Sequence, residues 1–244
     1  MVDNFDIIRK ILRFDHDGEC YYVQLLRRAA DDPKPNGKPD LAYHGSMHSR
    51  SVKDYFIHSL EHLDMVEGEI KELCKMFNVR AYIRLNRRSY KKIALQMLKH
   101  IAEQVSSGES YSSPHHMISS AAGMVHDEPN KTWLVDLDSE YLPYEQIIEN
   151  FICGCEPIKS QIVESKKFLS FGLDDYDAQF NYSRKAFLEE HTWTIPTKSG
   201  KHIIVQPFNK KTFSDKWEDY CKDNGIALEC PQIHKDNPTI LFVP

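Results

Sequence analysis

The segment Thr132-Trp-Leu-Val-Asp-Leu-Asp138 sets the strongest constraint on the fold of this chain. Its residues favour a β-strand, in which successive side chains point to opposite sides of a sheet. Val135 and Leu137 therefore face a core, whereas Asp136 and Asp138 share the other face with Cα atoms about 6–7 Å apart. The segment predicts a strand whose sheet carries two carboxylates on one side.

Charge and hydropathy exclude two broad classes of protein. The chain has 244 residues and a formal net charge of −5, so it cannot coat nucleic acid through bulk positive charge. Any site for a polyanion must therefore be local. No apolar run approaches the ~18–20 residues of a membrane span, and the first residues lack a signal-peptide layout. We expect a cytoplasmic protein without a membrane partner, and the six scattered cysteines are typical of a reducing compartment.

Cysteine and histidine spacings offer two weak zinc alternatives. Cys153-Gly-Cys155 with Cys221 and Cys230 supplies four thiols, but the close pair lacks the usual two-residue gap. His58 and His62 stand four apart, without the His-Glu-x-x-His pattern of zinc proteases. Buried or free thiols and surface histidines are the simpler interpretation.

The first half of the chain is expected to alternate strands with helices. Glu19 to Arg28 and Val79 to Leu85 favour strands. Apolar residues at helical spacing from Phe56 to Phe77 predict a helix with Ser51 as its N-cap. Ser89 begins a second predicted helix, so the order is strand, helix, strand, helix.

The second half predicts an RRM-like unit, that is, a ferredoxin-like βαββαβ order. After the strand that ends at Asp138 come a helix, a hairpin turning at 198–201, a helix from Ser214 to Asn224 and a final strand from Thr239 to Val243. We therefore expect an α+β protein in which an α/β lobe packs on an RRM-like lobe. The expected divisions are 1–110 for the α/β lobe, 111–130 for a connecting segment and 131–244 for the RRM-like lobe.

A basic segment in the first lobe predicts a surface for nucleic acid. Between Arg80 and Ala102 there is no acidic residue. Arg87 and Arg88 are expected in the turn before the second helix, where free backbone N–H groups favour phosphate, and Tyr90 offers a ring for base stacking. A solvated basic face is the alternative. The predicted nucleic-acid contacts are Arg80, Arg84, Arg87, Arg88, Lys91 and Lys92.

The predicted hairpin turn supplies groups suited to a phosphate. Ser199-Gly-Lys-His202 brings together a hydroxyl, a turn backbone, an ammonium and an imidazole. An ordinary Ser-Gly turn with a solvated lysine is the alternative. The two strand carboxylates, in turn, are the hard oxygen ligands that Mg²⁺ or Mn²⁺ prefers.

Taken together, the two motifs resemble a known enzyme superfamily. Leu134-Val-Asp-Leu-Asp138, followed about 60 residues later by Ser199-Gly-Lys-His-Ile-Ile-Val205, is similar to the first two motifs of the archaeo-eukaryotic primases, or primase-polymerases. The resemblance implies an N-terminal α/β unit beside an RRM-like unit, and an enzyme that joins nucleotides on a nucleic-acid template. Nucleic acid, nucleoside triphosphates and other replication proteins would be its partners.

The resemblance also assigns roles to individual residues. Asp136 and Asp138 would bind Mg²⁺ or Mn²⁺, and Ser199, Lys201 and His202 would hold the triphosphate. The catalytic group implied in this way is Asp136, Asp138 and His202.

One motif of the superfamily has no counterpart in the sequence. The third motif is a hydrophobic residue followed by Asp, but the last predicted strand contains no acid, and Glu229 and Asp236 lie outside a clear strand. Whether the chain is an enzyme therefore stays open at this point. The alternatives are a non-catalytic nucleic-acid-binding protein of the same fold and a metal-dependent nuclease that uses the same acids.

Overall fold

A computed structural model describes residues 1–27, 50–108, 114–125, 128–165, 176–236 and 238–244. The chain forms two compact units, the first made of Met1–Pro129 and Pro238–Pro244 and the second of Asn130–Asn237. Each unit contains one antiparallel sheet with helices, which confirms the α+β class.

The first unit is built on a five-stranded sheet in the order β1-β9-β4-β2-β3. Its strands are β1 (Val2–Asp3), β2 (Glu19–Arg27), β3 (Arg50–Ile57), β4 (Arg80–Ser89) and β9 (Thr239–Val243). Its described helices are α1 (Phe5–Ile11), α2 (Leu60–Phe77), α3 (Tyr90–Ser107) and α4 (Pro114–Met124).

Helix α2 packs on the sheet of the first unit through one apolar stripe. Leu63, Ile70 and Cys74 are fully buried, and the helix contacts β2, β3, β4 and β9. Spacings of seven and four residues keep these side chains on one helix face. Asn78 ends the helix in the left-handed conformation, with φ of 49°.

The predicted start of α2 is wrong. Ser51 lies in strand β3, which pairs with β2 along its length, and the N-cap is Ser59, whose Oγ accepts a hydrogen bond from the His62 N–H at 3.0 Å. The apolar residue Phe56 belongs to this strand, so the helical spacing that extended back to it was coincidental. The N-cap expected at Ser89, by contrast, is confirmed, because its Oγ accepts from the Lys92 N–H at 3.4 Å.

The segment expected to connect the lobes contains helix α4. Ala121 and Ala122 of this helix are buried against Cys20 and Tyr22 of β2, together with Ile93 of α3. Small side chains permit this close approach of helix and sheet. The segment therefore contributes to the core of the first unit, and the boundary between the units lies at 129/130.

The second unit is built on a four-stranded sheet in the order β6-β7-β5-β8, with every neighbouring pair antiparallel. Its strands are β5 (Trp133–Asp138), β6 (Trp193–Pro196), β7 (Gly200–Val205) and β8 (Gln232–His234). Its described helices are α5 (Glu145–Cys153), α6 (Ile158–Glu164), α7 (Tyr176–His191) and α8 (Lys210–Asn224), and a 3₁₀ helix covers Ser139–Tyr144.

One face of this sheet is covered by helices. Val135 and Leu137 of β5 and Ile203 and Val205 of β7 are buried in a core cluster with side chains of the helices, including Trp217. The alternation predicted from the sequence of β5 is therefore present, and it leaves Asp136 and Asp138 on the opposite face.

The final strand lies in a different sheet from the one expected. Thr239–Val243 pairs with β1 and β4 in the first unit, where all five residues are buried. The strand that borders β5 in the second unit is instead Gln232–His234, a segment of only three residues. An apolar run such as Thr239–Val243 fits the centre of any sheet, so its composition did not specify its partner.

No helix in the described part of the chain is long and apolar enough to cross a membrane.

Candidate functional site

The site is built on the face of the second sheet that carries Asp136 and Asp138, which we call the acid face. Cross-strand pairing aligns four residues in one row, because directly opposed residues in antiparallel strands share a face. His202 of β7 and Gln232 of β8 flank Asp136 on either side, and Ile195 of β6 ends the row.

His202 and Asp136 are direct neighbours on the acid face. His202 Nε2 lies 3.5 Å from Asp136 Oδ1. The imidazole is nearly buried, at 11% side-chain exposure, whereas the carboxylate is 37% exposed. The carboxylate thus remains open to a ligand on one side while the sheet holds the imidazole in place on the other.

Ser199 and Asp138 form the second contact across the same pair of strands. Ser199 Oγ donates a hydrogen bond to Asp138 Oδ1 at 3.2 Å. The intervening Gly200 pairs with Asp138, and a Cβ at this position would overlap the Leu137 carbonyl oxygen and the Asp138 Cα. Glycine therefore permits the close strand approach that brings the hydroxyl to the carboxylate.

Lys201 does not join this group. It pairs with Leu137, on the side of the sheet that faces the helices, and its Nζ forms an ion pair with Glu145 at the start of α5. The alternation of side chains along β7 places Lys201 opposite to His202. The structure thus brings His202 to Asp136 and Ser199 to Asp138, and it places Lys201 on the other side of the sheet.

Two further residues of the acid face come from β8 and were missed. Gln232 stands opposite Asp136, and His234 stands opposite Leu134 one step along the strand. Burial lowers the pKa of His234, and the nearby Asp136 carboxylate offsets part of that shift. The sequence signal for this strand is the pair Ile233-His234, a hydrophobic residue followed by a histidine rather than by an acid.

The two carboxylates of the acid face suit a divalent cation that takes its other ligands from water or substrate. Mg²⁺ is commonly bound by one or two carboxylates together with water and substrate phosphates, and Asp136 and Asp138 supply such a pair. Within the described ranges, no three His, Cys, Asp or Glu side chains form a group that could hold a metal ion. The remaining ligands would therefore have to come from solvent or substrate.

The basic segment differs from its prediction at two arginines. Arg87 lies within β4, is 5% exposed, and its guanidinium binds Glu128, with Nε to Oε2 at 2.7 Å. The same group also pairs with Asp15 and Glu19, at 2.5 and 3.0 Å. Hydrogen bonding to Glu128 raises the pKa of Arg87, and hydrogen bonding to Arg87 lowers the pKa of Asp15.

Arg88 is likewise part of the fold rather than of a nucleic-acid surface. It is fully buried, and its Nε donates to the carbonyl oxygen of Ala122 in α4 at 2.6 Å. Arg87 and Arg88 were expected in an exposed turn, but β4 continues to Ser89, so both side chains are enclosed. This corrects their assignment as phosphate contacts.

The other predicted basic contacts remain at the surface or near it. Arg80 and Arg84 are half-buried on β4 and interact with other groups of the protein, whereas Lys91 and Lys92 are exposed in the first turn of α3. Tyr90 is 37% exposed and lines a cavity of about 400 Å³ together with Phe14, His16, Asp17 and His58. Part of the basic segment is thus accessible.

Neither zinc alternative finds support in the side-chain arrangement. Cys153 and Cys155 are fully buried, and burial raises the pKa of the Cys153 thiol to about 12, so it stays protonated. The rings of His58 and His62 stack with centroids 4.1 Å apart, and burial together with His58 lowers the pKa of His62.

Comparisons with protein-family models, with curated proteins and with solved structures found no match. The function is therefore inferred from the chemistry of the acid face.

Proposed function

We propose that this chain is a primase-polymerase-like nucleotidyltransferase that joins nucleotides on a nucleic-acid template with Mg²⁺ or Mn²⁺. The observation that carries the proposal is the pairing on the acid face, where Asp136 lies beside His202 and Asp138 beside Ser199. Both sequence motifs of the resemblance thus meet at one place.

The strand order of the second unit supports the RRM-like part of the proposal. Numbered within the unit, its strands lie in the order 2-3-1-4, with helices between the first and second strands and between the third and fourth. This is the neighbour pattern of a βαββαβ unit, with β8 as the fourth strand. The acid pair then lies on a central strand.

Each residue of the acid face has a role in this proposal. Asp136 and Asp138 would hold the metal, which neutralises charge on the phosphates during phosphoryl transfer. His202 is fixed beside Asp136 and can donate a hydrogen bond to a phosphate oxygen. Ser199 orients Asp138 through its hydroxyl.

A second candidate is a non-catalytic nucleic-acid-binding protein. It is favoured because, among the described residues, no three His, Cys, Asp or Glu side chains form a group that could hold a metal ion. In two-metal phosphoryl transfer the ions stabilise both the attacking and the leaving oxygen, which two carboxylates alone achieve less readily. Activity measurements separate the two candidates.

The test is primer extension and primer synthesis in Mn²⁺ or Mg²⁺. We expect the wild-type protein to extend a labelled primer and the Asp136→Ala plus Asp138→Ala variant to lose at least a hundredfold in rate. Asp215→Ala plus Asp219→Ala is a matched control, because it removes two exposed acids from α8 of the same unit. The control should keep wild-type activity.

The same assay distinguishes the other outcomes. No extension by the wild-type protein under either metal, with nucleic-acid binding intact in both proteins, would exclude the polymerase. Shortening of the labelled strand that disappears in the Asp136/Asp138 variant would indicate a nuclease instead.

A further inference from the structure

Helix α3 of the first unit presents a stripe of exposed aliphatic side chains, which we call the α3 stripe. Ile93 faces the opposite way and is buried against the core of this unit. The members of the stripe are 41–63% exposed, and their spacing of three or four residues keeps them on one face of the helix. They are Leu95, Leu98, Ile101 and Val105. A continuous apolar stripe of this kind marks an interaction surface, whereas single exposed apolar residues do not.

The spacing within the α3 stripe suits another helix as the partner. Ala94, Leu98, Ile101 and Val105 follow one another at intervals of four, three and four residues, which is the seam of a coiled coil. Ala94 and Ala102 are exposed on the same face, and their small side chains permit close approach of a second backbone. The helix has 18 residues and is therefore about 27 Å long. The stripe can thus pack along the length of one partner helix.

The α3 stripe is nearly symmetric about its own centre. Leu95 and Val105 lie at equal distances in sequence on either side of His100, and Leu98 and Ala102 do the same. A second α3 placed antiparallel about a two-fold axis near His100 would set Leu95 of each copy against Val105 of the other. Interfaces between identical chains with two-fold symmetry require such self-complementarity.

The charged residues beside the stripe also favour an antiparallel second copy. Lys99 and Glu103 lie 3.8 Å apart within one copy, and both are exposed, so this pair adds little stability on its own. In the antiparallel arrangement, Lys99 of one copy and Glu103 of the other lie about 3 Å apart along the helix axis, and this pairing occurs twice. A parallel arrangement would instead bring Lys99 to Lys99 and Lys91 to Lys91.

We propose that the α3 stripe is a dimer interface on which α3 of a second copy of this chain packs antiparallel, about a two-fold axis near His100. A helix face of this length buries roughly 500 Å² on each copy, which is close to the lower limit of about 1,000 Å² in total for a specific interface. We therefore expect a dimer that forms at micromolar concentrations. The inference goes beyond the proposed function, because the acid face takes no part in it.

The test is sedimentation equilibrium of the full chain from about 1 to 200 μM. The mass of the wild type should rise from that of one chain to that of two. Leu95→Gln plus Leu98→Gln should weaken the dimer at least tenfold. Met65→Gln plus Met76→Gln is the matched control, because it replaces two side chains that are 74% and 71% exposed on α2 of the same unit, and it should dimerise like the wild type. A wild type that stays monomeric throughout would overturn the proposal.

Charge reversal tests the antiparallel arrangement. Lys99→Glu gives each copy two acids beside the stripe, and Glu103→Lys gives each copy two lysines, so both variants should dimerise several-fold more weakly than the wild type. Mixed together, they should form a mixed dimer more tightly than either variant forms its own. Absence of this gain on mixing would overturn the antiparallel packing.

Vesicles test a membrane surface as the other occupant, because an apolar stripe flanked by lysines is also found on helices that lie in the interface of anionic lipids. We expect the wild type not to sediment with vesicles of phosphatidylserine and phosphatidylcholine. Vesicle binding that the Leu95/Leu98 variant loses, together with a monomeric wild type, would overturn the dimer in favour of a membrane surface.

Discussion

At the scale of single residues, Gly200 decides how closely β7 approaches β5. A Cβ atom at this position would overlap the backbone of Leu137 and Asp138, because β7 packs closely against β5 there. We therefore expect Gly200→Ala to destabilise the second unit by about 1–3 kcal/mol, as overpacking of a tight contact does. The change should also separate Ser199 from Asp138 and lower any activity that depends on the acid pair.

Denaturant unfolding measures this effect. Gly68→Ala is the control, because Gly68 lies inside helix α2 and a Cβ added there would meet no heavy atom within 4 Å. Alanine favours the helix by about 0.5–1 kcal/mol, so the control should be slightly stabilised. Equal stability of Gly200→Ala and wild type would refute the close-approach argument.

Arg87 is a second residue with a predicted large effect. Its guanidinium and the Glu128 carboxylate are 6% and 8% exposed. Arg87→Met would leave Glu128 buried without its cation, which costs about 3–5 kcal/mol in such pairs. The free energy of unfolding should fall accordingly, and adding Glu128→Gln should recover part of the loss. A single substitution without effect would show that the pair is not buried in solution.

The same network predicts a pH dependence through Asp15. Its pKa is lowered in the folded state by the hydrogen bond from Arg87, from an ordinary value of 3.8. The resulting stabilisation is complete above about pH 4 and is lost as the pH falls through the lower folded pKa. The difference in unfolding free energy between wild type and Asp15→Asn should therefore shrink below pH 4, and a constant difference would contradict the linkage.

At the scale of elements, the beginning of α2 shows what local sequence signals decide. Both Ser51 and Ser59 are plausible N-caps by residue type, but only Ser59 receives the His62 N–H. Ser59→Ala should lower stability by about 1 kcal/mol, the usual value of such a cap. Ser106→Ala, at an exposed site in the last turn of α3, should change it by less than about 0.5 kcal/mol in the same unfolding experiment. Equal effects would argue against the cap.

The sequence predicted the strands and helices that carry their own periodicity or caps. Such local signals predicted several elements of both units. These are the strands β2, β4 and β5, the hairpin of β6 and β7, the cap at Ser89 and the end of α8 before Gly225. Strand β3 could not be separated from α2, because Phe56 fits both a strand and a helical stripe. Pairing over long distances, as for β9, is set by the whole core and has no local signature.

The acid face was predictable for the same reason. Asp136 and Asp138 lie on one strand and His202 lies on its hairpin neighbour, so parity brings His202 to Asp136. Ser199 precedes β7 in the turn and reaches Asp138 from there. The same alternation of side chains places Lys201 on the opposite face of the sheet, although the resemblance had grouped it with the residues of the acid face. The position of His234 on the acid face depends on the pairing of a three-residue strand, which is too short to have its own sequence pattern. The burial of Arg87 depends on Glu128, which is 41 residues away in the chain.

At the scale of the whole molecule, the last residues of the chain belong to the first unit. Strand β9 lies between β1 and β4, and Leu241 is fully buried. Leu241→Ala should therefore destabilise the first unit by about 2–5 kcal/mol. Hydrogen exchange should then show faster exchange in β2 and β4, with β5 and β7 unchanged. Loss of protection in β5 and β7 alone would contradict the assignment of β9.

The modest net charge of −5 conceals an uneven distribution of charged groups. Buried pairing removes Arg87 from the accessible positive charge, while Lys91 and Lys92 remain exposed in the first turn of α3. The chain can therefore present phosphate-binding groups locally without a basic composition.

We propose that Asp136 and Asp138 together bind a divalent cation. The most direct test of this proposal is a Mn²⁺ titration followed by electron paramagnetic resonance, in the presence of a nucleoside triphosphate. We predict that the wild type and the Asp215→Asn plus Asp219→Asn control remove Mn²⁺ from solution equally, and that Asp136→Asn plus Asp138→Asn loses this binding at least tenfold. Equal binding by all three proteins would contradict the account.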